Sequence, residues 1–223
     1  MRHAKALMTF ALVGGMTLSG LAAAEHGGKI TPALHSVDVT HTGKPVTLER
    51  TSNKDAVIPA AYAHTSRACP PFCIQPMQIV PGVETVGELE VLGYLKRISD
   101  GDRTVVVVDS RTPDWAVRGT IPGSVNIPWN KINVDVEGTF AVETEAETLN
   151  DILQDQFGAK LINGSWDFRN AKTLVFFCNG IWCPQSSINI KTLSKLGYPT
   201  YKLKWYRGGM QSWVSVGLTT AKP

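Results

Sequence analysis

Residues 104–110 read TVVVVDS, and this heptapeptide decides the fold. Four consecutive valines without polar alternation predict a short strand buried on both faces, and such strands belong to parallel sheets covered by helices. A second stretch, TLVFFCNGIWCPQSS at residues 173–187, repeats the pattern. There Leu174, Val175, Phe176 and Phe177 lead into Cys178, a loop and a polar helix start. Each strand thus ends in a chemically capable group, Asp109 in one and Cys178 in the other. Open α/β sheets bind ligands outside the carboxyl ends of their strands, where helix amino termini supply unpaired N–H groups and partial positive charge. A thiol placed there ionises more easily than a free cysteine. The expectation is an α/β domain with a central, mostly parallel sheet, helices on both faces and Cys178 at its rim.

The flanking sequence supplies the helices. Within residues 82–99, Val86, Leu89, Leu92, Leu95 and Ile98 recur at helical spacing, with Glu88, Glu90, Lys96 and Arg97 on the outer face. Residues 144–157, TEAETLNDILQDQF, predict an amphipathic helix with Leu149, Ile152, Leu153 and Phe157 on one side. Asn163, Gly164, Ser165 and Trp166 read as a turn before the second strand, and Trp166 and Phe168 as packing residues.

Ahead of this compact part lies an irregular arm. Val37, Val39, Val46 and Leu48 alternate with polar residues around Thr42, Gly43, Lys44 and Pro45, which predicts a β-hairpin. Residues 68–76, ACPPFCIQP, cannot be a helix interior with two prolines between the cysteines. Cys69 and Cys73 read either as a structural disulfide that pins the arm or as a redox-active or sulfur-accepting pair serving Cys178.

Residues 1–24 read as an address. Arg2, His3 and Lys5 make a basic start, an apolar run follows, and Ala22, Ala23 and Ala24 offer a cleavage site before Glu25. The apolar run is shorter than the roughly 20 residues of a spanning helix, so no stable membrane insertion is expected after cleavage. The division expected is a signal peptide at 1–24, an extension at 25–82 and a catalytic domain at 83–219, in a periplasmic or otherwise exported protein. Losing Arg2 and Lys5 brings the formal charge of +3 close to neutrality, which argues against nucleic acid as a partner. An apolar content of 43% suffices for a core without disulfides. Neither cysteine pair precedes a histidine, and spacings of three and four residues fit a zinc knuckle poorly, so no metal and no cofactor is expected.

The segment from Asp109 onward, DSRTPDWAVRGTIPGSVNIPW, resembles the strand-to-helix segment of the rhodanese family. Asp109, Arg111, Gly119, Ile121, Pro122, Gly123, Asn126, Ile127 and Pro128 match; Trp115 takes the aromatic place, and Thr120 stands where the family usually has histidine. Leu196, Gly197 and Tyr198, followed by Tyr206, Arg207, Gly208, Gly209, Met210 and Trp213, resemble the family's closing motif. The resemblance spans about residues 83–219 and leaves out the arm. It implies a sulfurtransferase in which the Cys178 thiolate takes sulfane sulfur from thiosulfate, a persulfide or a polysulfide. The persulfide then passes its sulfur to a thiol, to cyanide or to a protein sulfur carrier.

The loop is read as Cys178, Asn179, Gly180, Ile181, Trp182, Cys183, Pro184 and Gln185, longer than the family's usual cradle, with Ser186 beginning or capping the helix. Related cysteine phosphatases hold their anion with an arginine six residues after the nucleophile. Here that residue is Pro184, and residues 178–187 contain no arginine or lysine, which disfavours phosphate. All five histidines lie at or before His64, so thiol activation falls to loop amides and the helix terminus. Asp109, Arg111, Arg118 and Arg207 are candidates either for attracting an anion or for building the rim. Cys183 is a candidate resolving thiol that could close a disulfide with Cys178. Two alternatives stay open: a thiol-disulfide redox or sulfur-relay protein using Cys178 and Cys183, and a non-catalytic rhodanese-like binding module.

Overall fold

The computed structural model describes residues 28–133 and 146–223, and residues 1–27, including the signal-peptide expectation, lie outside them. The described elements run β1 (Val37–His41), β2 (Lys44–Leu48), α1 (Ala60–Ala63), β3 (Glu84–Val86), α2 (Glu88–Ser99), β4 (Val105–Asp109), α3 (Pro113–Ala116), β5 (Val125–Asn126), α4 (Trp129–Ile132) and α5 (Ala146–Asp151). They continue with a π-helical turn (Ile152–Gln156), β6 (Lys160–Ile162), β7 (Ser165–Asp167), β8 (Thr173–Phe177), α6 (Gln185–Lys195), a 3-10 turn (Thr200–Lys202), β9 (Leu203–Tyr206) and α7 (Gly209–Ser215). No helix among the described residues is long and apolar enough to cross a membrane.

Five strands form the central sheet in the order β3-β9-β8-β4-β5, and every neighbouring pair is parallel. Alternation along each strand sends side chains to opposite faces. Val105 and Val107 of β4, with Val175 and Phe177 of β8, join one core, whereas Val108, Leu174 and Phe176 join the other. Both faces are covered, the first by α2 and α7 and the second by α4, α6 and the π-helical turn. That double burial is what the valine run encodes.

The arm is built into this body. β1 and β2 form an antiparallel hairpin whose two turn residues, Thr42 and Gly43, both have positive φ, the backbone that suits a two-residue hairpin turn. Val37, Val39 and Leu48 are buried in the first core beside Leu92 and Leu95 of α2. Pro45, expected in the turn, instead lies on β2 opposite Thr40.

Three expectations need correction. Val86 belongs to β3 rather than to the α2 stripe, and Leu89 is exposed while Val91 is buried; the helix starts later than its periodicity suggests because Val86 completes the sheet edge beside Tyr206. The helix expected over 144–157 divides into α5 and the π-helical turn, and residues 144 and 145 lie outside the described set. Finally, Asn163 and Gly164 alone form the turn, while Ser165 and Trp166 pair in β7. Trp166 stacks on Phe168, which packs against Tyr198, so these aromatics build the second core's edge.

Candidate active site

The carboxyl ends of β4, β8 and β9 stand level, since Asp109 pairs with Phe177 and Phe177 with Tyr206. From β4 the chain leaves toward β5, and from β8 it leaves toward β9 on the opposite side. The crevice between β4 and β8 is therefore a topological switch point, where open α/β sheets place their ligands. Cys178 follows β8 directly and occupies it.

The loop after Cys178 ends at Pro184, and α6 begins at Gln185, so Gln185 is helical rather than part of the loop and Ser186 lies inside the first turn. The N–H groups of that first turn lack intrahelical acceptors. Cys183 N–H donates to Gly180 C=O at 2.9 Å, closing a turn within the loop. Cys178 and Cys183 are joined by a disulfide with their Cα atoms 6.1 Å apart, and each is 2% exposed. Gln185 Oε1 lies 3.3 Å from Cys178 Sγ and 3.5 Å from Cys183 Sγ, which places both sulfurs beside the side chain of the first residue of α6.

The far side of the loop rests on α7. Met210 N–H donates to Cys178 C=O and Gln211 N–H to Asn179 C=O, both at 2.9 Å. This approach needs Gly209, whose φ of 55° is left-handed and whose missing Cβ would stand 2.9 Å from Gly180 N and against the Cys178 carbonyl. Trp182 Nε1–H donates to Gln211 Oε1 at 3.0 Å, and the other end of Gln211 donates to Tyr62 C=O.

Asp109 and Arg111 form a buried pair. Arg111 donates through Nε to one Asp109 carboxylate oxygen and through Nη2 to the other, at 2.8 and 2.6 Å, and neither side chain is exposed. Thr120 donates to the same carboxylate at 2.6 Å. Burial opposes charge on Arg111, yet its hydrogen bonds and charge pairing with Asp109 raise its pKa overall. Burial pushes the Tyr62 phenol up as well, and its oxygen accepts from Arg111 Nη1 at 2.9 Å. A longer contact of 3.5 Å joins Arg111 to Asn179 of the loop.

Of the four rim candidates, three are engaged within the protein and one, Arg118, stands exposed. Asp109 and Arg111 hold each other, Arg118 is exposed with its guanidinium 4.8 Å from the Trp115 ring, and Arg207 donates through Nε and Nη2 to Gln75 C=O at 3.1 and 2.7 Å. Gln75 belongs to the arm, and its own N–H donates to Ile181 C=O at 2.9 Å. The pair Cys69 and Cys73 is joined in a disulfide, with Cα atoms 4.7 Å apart, and Cys73 C=O accepts from the Gln75 side chain. Phe72, between those cysteines, meets Trp182 edge to face at 5.6 Å. The arm thus lies directly on the cysteine loop. Tyr62, Arg67, Phe72, Gln75 and Gln211 carried no pattern that could have marked them, because their importance arises from contacts made far along the chain.

The description "Rhodanese-like domain" matches residues 92–216 as a family model. Among solved structures, a protein from Bacillus halodurans is 17% identical with a TM-score of 0.42, covering 62% of this chain and 77% of its own. The human single-domain sulfurtransferase is 21% identical with a TM-score of 0.37 and coverages of 60% and 96%. A thiosulfate sulfurtransferase from Pseudomonas aeruginosa is 19% identical with a TM-score of 0.40, covering 63% of this chain and 20% of its own. No curated protein matches the chain.

Proposed function

The chain belongs to the rhodanese-like domain family, and from that premise we propose that it is an exported sulfurtransferase whose Cys178 carries sulfane sulfur as a persulfide. One observation carries the reading: Cys178 stands at the switch point of the sheet, with its sulfur 3.3 Å from the side chain of Gln185, the first residue of α6, in a loop that holds no cationic side chain. Partial positive charge from amides stabilises a thiolate. A phosphate dianion, by contrast, lacks its guanidinium fork there.

The reaction begins from the reduced loop, because a sulfur bound to Cys183 is no nucleophile. The Cys178 thiolate attacks the outer sulfur of thiosulfate or another sulfane donor. The donor's S–S bond breaks, sulfite or the corresponding thiolate leaves with the electron pair, and Cys178 becomes a persulfide. An acceptor thiolate attacks the outer sulfur and departs as a persulfide, restoring the Cys178 thiolate. With Cys178 2% exposed, the loop and the arm segment above it must move apart to admit either partner.

The Cys178–Cys183 bond favours a second reading on the same site. Once Cys178 is persulfidated, the Cys183 thiolate can attack Cys178 Sγ and expel hydrosulfide, leaving the disulfide, which an external dithiol then reduces.

Mass spectrometry of the reduced protein after thiosulfate treatment tests both. A gain of one sulfur atom on Cys178, removed by cyanide and absent in Cys178→Ala, is the result expected of sulfur transfer. No adduct in the parent and in Cys183→Ser alike defeats it. An adduct that accumulates only in Cys183→Ser, with hydrosulfide released by the parent, establishes the relay.

A further inference from the structure

The arm and the cysteine loop border an open cavity of about 650 Å³ that Cys178 does not line. Its wall includes Thr65, Ser66 and Arg67 on the polar side and Phe72, Ile181 and Trp182 on the apolar side, and none of its lining residues is a carboxylate. The volume is that of a drug-sized organic molecule and far exceeds a bare inorganic anion.

Arg67 is the unusual group. Its guanidinium carbon lies over the Trp182 ring, 3.7 Å from the centroid. Stacking satisfies the face of a guanidinium but leaves its donors, which radiate from the edge, unused. Arg67 Nε and Nη2 are buried without a hydrogen-bond partner among the described residues, and no ion pair is made there. Every other buried guanidinium contact in this region is matched: Arg111 has Asp109, and Arg207 has the Gln75 carbonyl. A cation half withdrawn from water with idle donors costs free energy unless an anion completes it.

We propose that this cavity binds a carboxylate-bearing organic molecule of small-peptide size, with a carboxylate taken by the Arg67 fork and the apolar part held against Trp182 and Phe72. The site is made by the arm, which lies outside the matched family region, together with the loop residues three and four positions beyond Cys178.

S-methylglutathione, a carboxylate-bearing tripeptide thioether, is the probe, because it neither accepts sulfur nor reduces a disulfide and so reads binding at the cavity apart from turnover at Cys178. Calorimetric titration of the full chain, both disulfides intact, is expected to show saturable binding that Arg67→Gln weakens about tenfold or more, the loss typical of a charge-assisted pair. Arg67→Lys keeps the charge without the fork and is expected to fall between. Arg103→Gln, outside the cavity, leaves binding unchanged. Absent binding by the parent, or equal binding by parent and Arg67→Gln, overturns the site. Persulfide formation on Cys178 is measured separately: it can fail while Arg67-dependent binding stands, or succeed while that binding is missing.

Discussion

At the scale of single residues, the chemistry of the rim depends on one buried charge pair that touches no open space. Arg111 fills the ground beneath the loop, giving two hydrogen bonds to Asp109, one to Tyr62 and one to the Gly119 carbonyl. Its task is to hold the end of β4 to the arm, since Tyr62 arrives from α1. Replacing Arg111 by Met strands the Asp109 carboxylate in a dry site with only the Thr120 hydroxyl and the Arg111 backbone N–H beside it. Removing one partner of a buried pair costs about 3–5 kcal/mol. Urea unfolding of Arg111→Met is expected to show a loss of that order. The double variant Asp109→Asn/Arg111→Met is expected to recover a large part of it, because no uncompensated charge remains. If the double variant is no more stable than the single one, the pair is not the source of the loss.

Among the elements, the junction between the cysteine loop and α7 sets the geometry of Cys178. The loop's carbonyls at 178 and 179 are capped by the first amides of α7, and that contact is close enough only because residue 209 lacks a side chain. Gly209→Ala is expected to cost at least about 1–2 kcal/mol from the left-handed backbone alone, with a further loss from the contact with Cys178. Gly101→Ala is the control: Gly101 also has positive φ, at 100°, but an added Cβ there meets nothing within 4 Å. Thermal unfolding is expected to place Gly209→Ala below Gly101→Ala, and only the former is expected to slow persulfide formation. Equal melting temperatures would show that the loop yields to the methyl group.

Over the whole molecule, the arm is part of the core. Val37, Val39, Leu48 and Tyr62 pack with α2 and the sheet, and the chain after β2 is stitched to the carboxyl-terminal strand segment through Thr51 N–H to Gly217 C=O and Thr219 N–H to Glu49 C=O. A chain beginning at Val83 would expose the apolar stripe of α2, Val91, Leu92 and Leu95, to water. It is expected to aggregate, whereas the chain from Glu25 is expected to stay in solution and unfold cooperatively; size-exclusion chromatography and thermal melts decide this. A soluble, cooperative truncated chain would show that the arm serves the cysteine loop alone.

What the sequence determined by itself is the sheet and the place of Cys178 at its rim. Runs such as VVVV and LVFF encode burial on both faces because successive side chains point to opposite sides, and that rule acts within a few residues. The same local logic puts Cys178 between a strand and a helix, and the hairpin at Thr42 and Gly43 follows from alternation and turn chemistry. Tertiary structure alone decided that Gln75 bridges Arg207 and Ile181, that Gln211 joins Trp182 to Tyr62, and that Arg67 lies over Trp182 with idle donors. All of these contacts except that between Gln211 and Trp182 join positions separated by more than a hundred residues, and a side chain's hydrogen-bond partners depend on which surfaces the fold brings together. Periodicity reports which way a side chain points, and only the packed chain reports what stands opposite it.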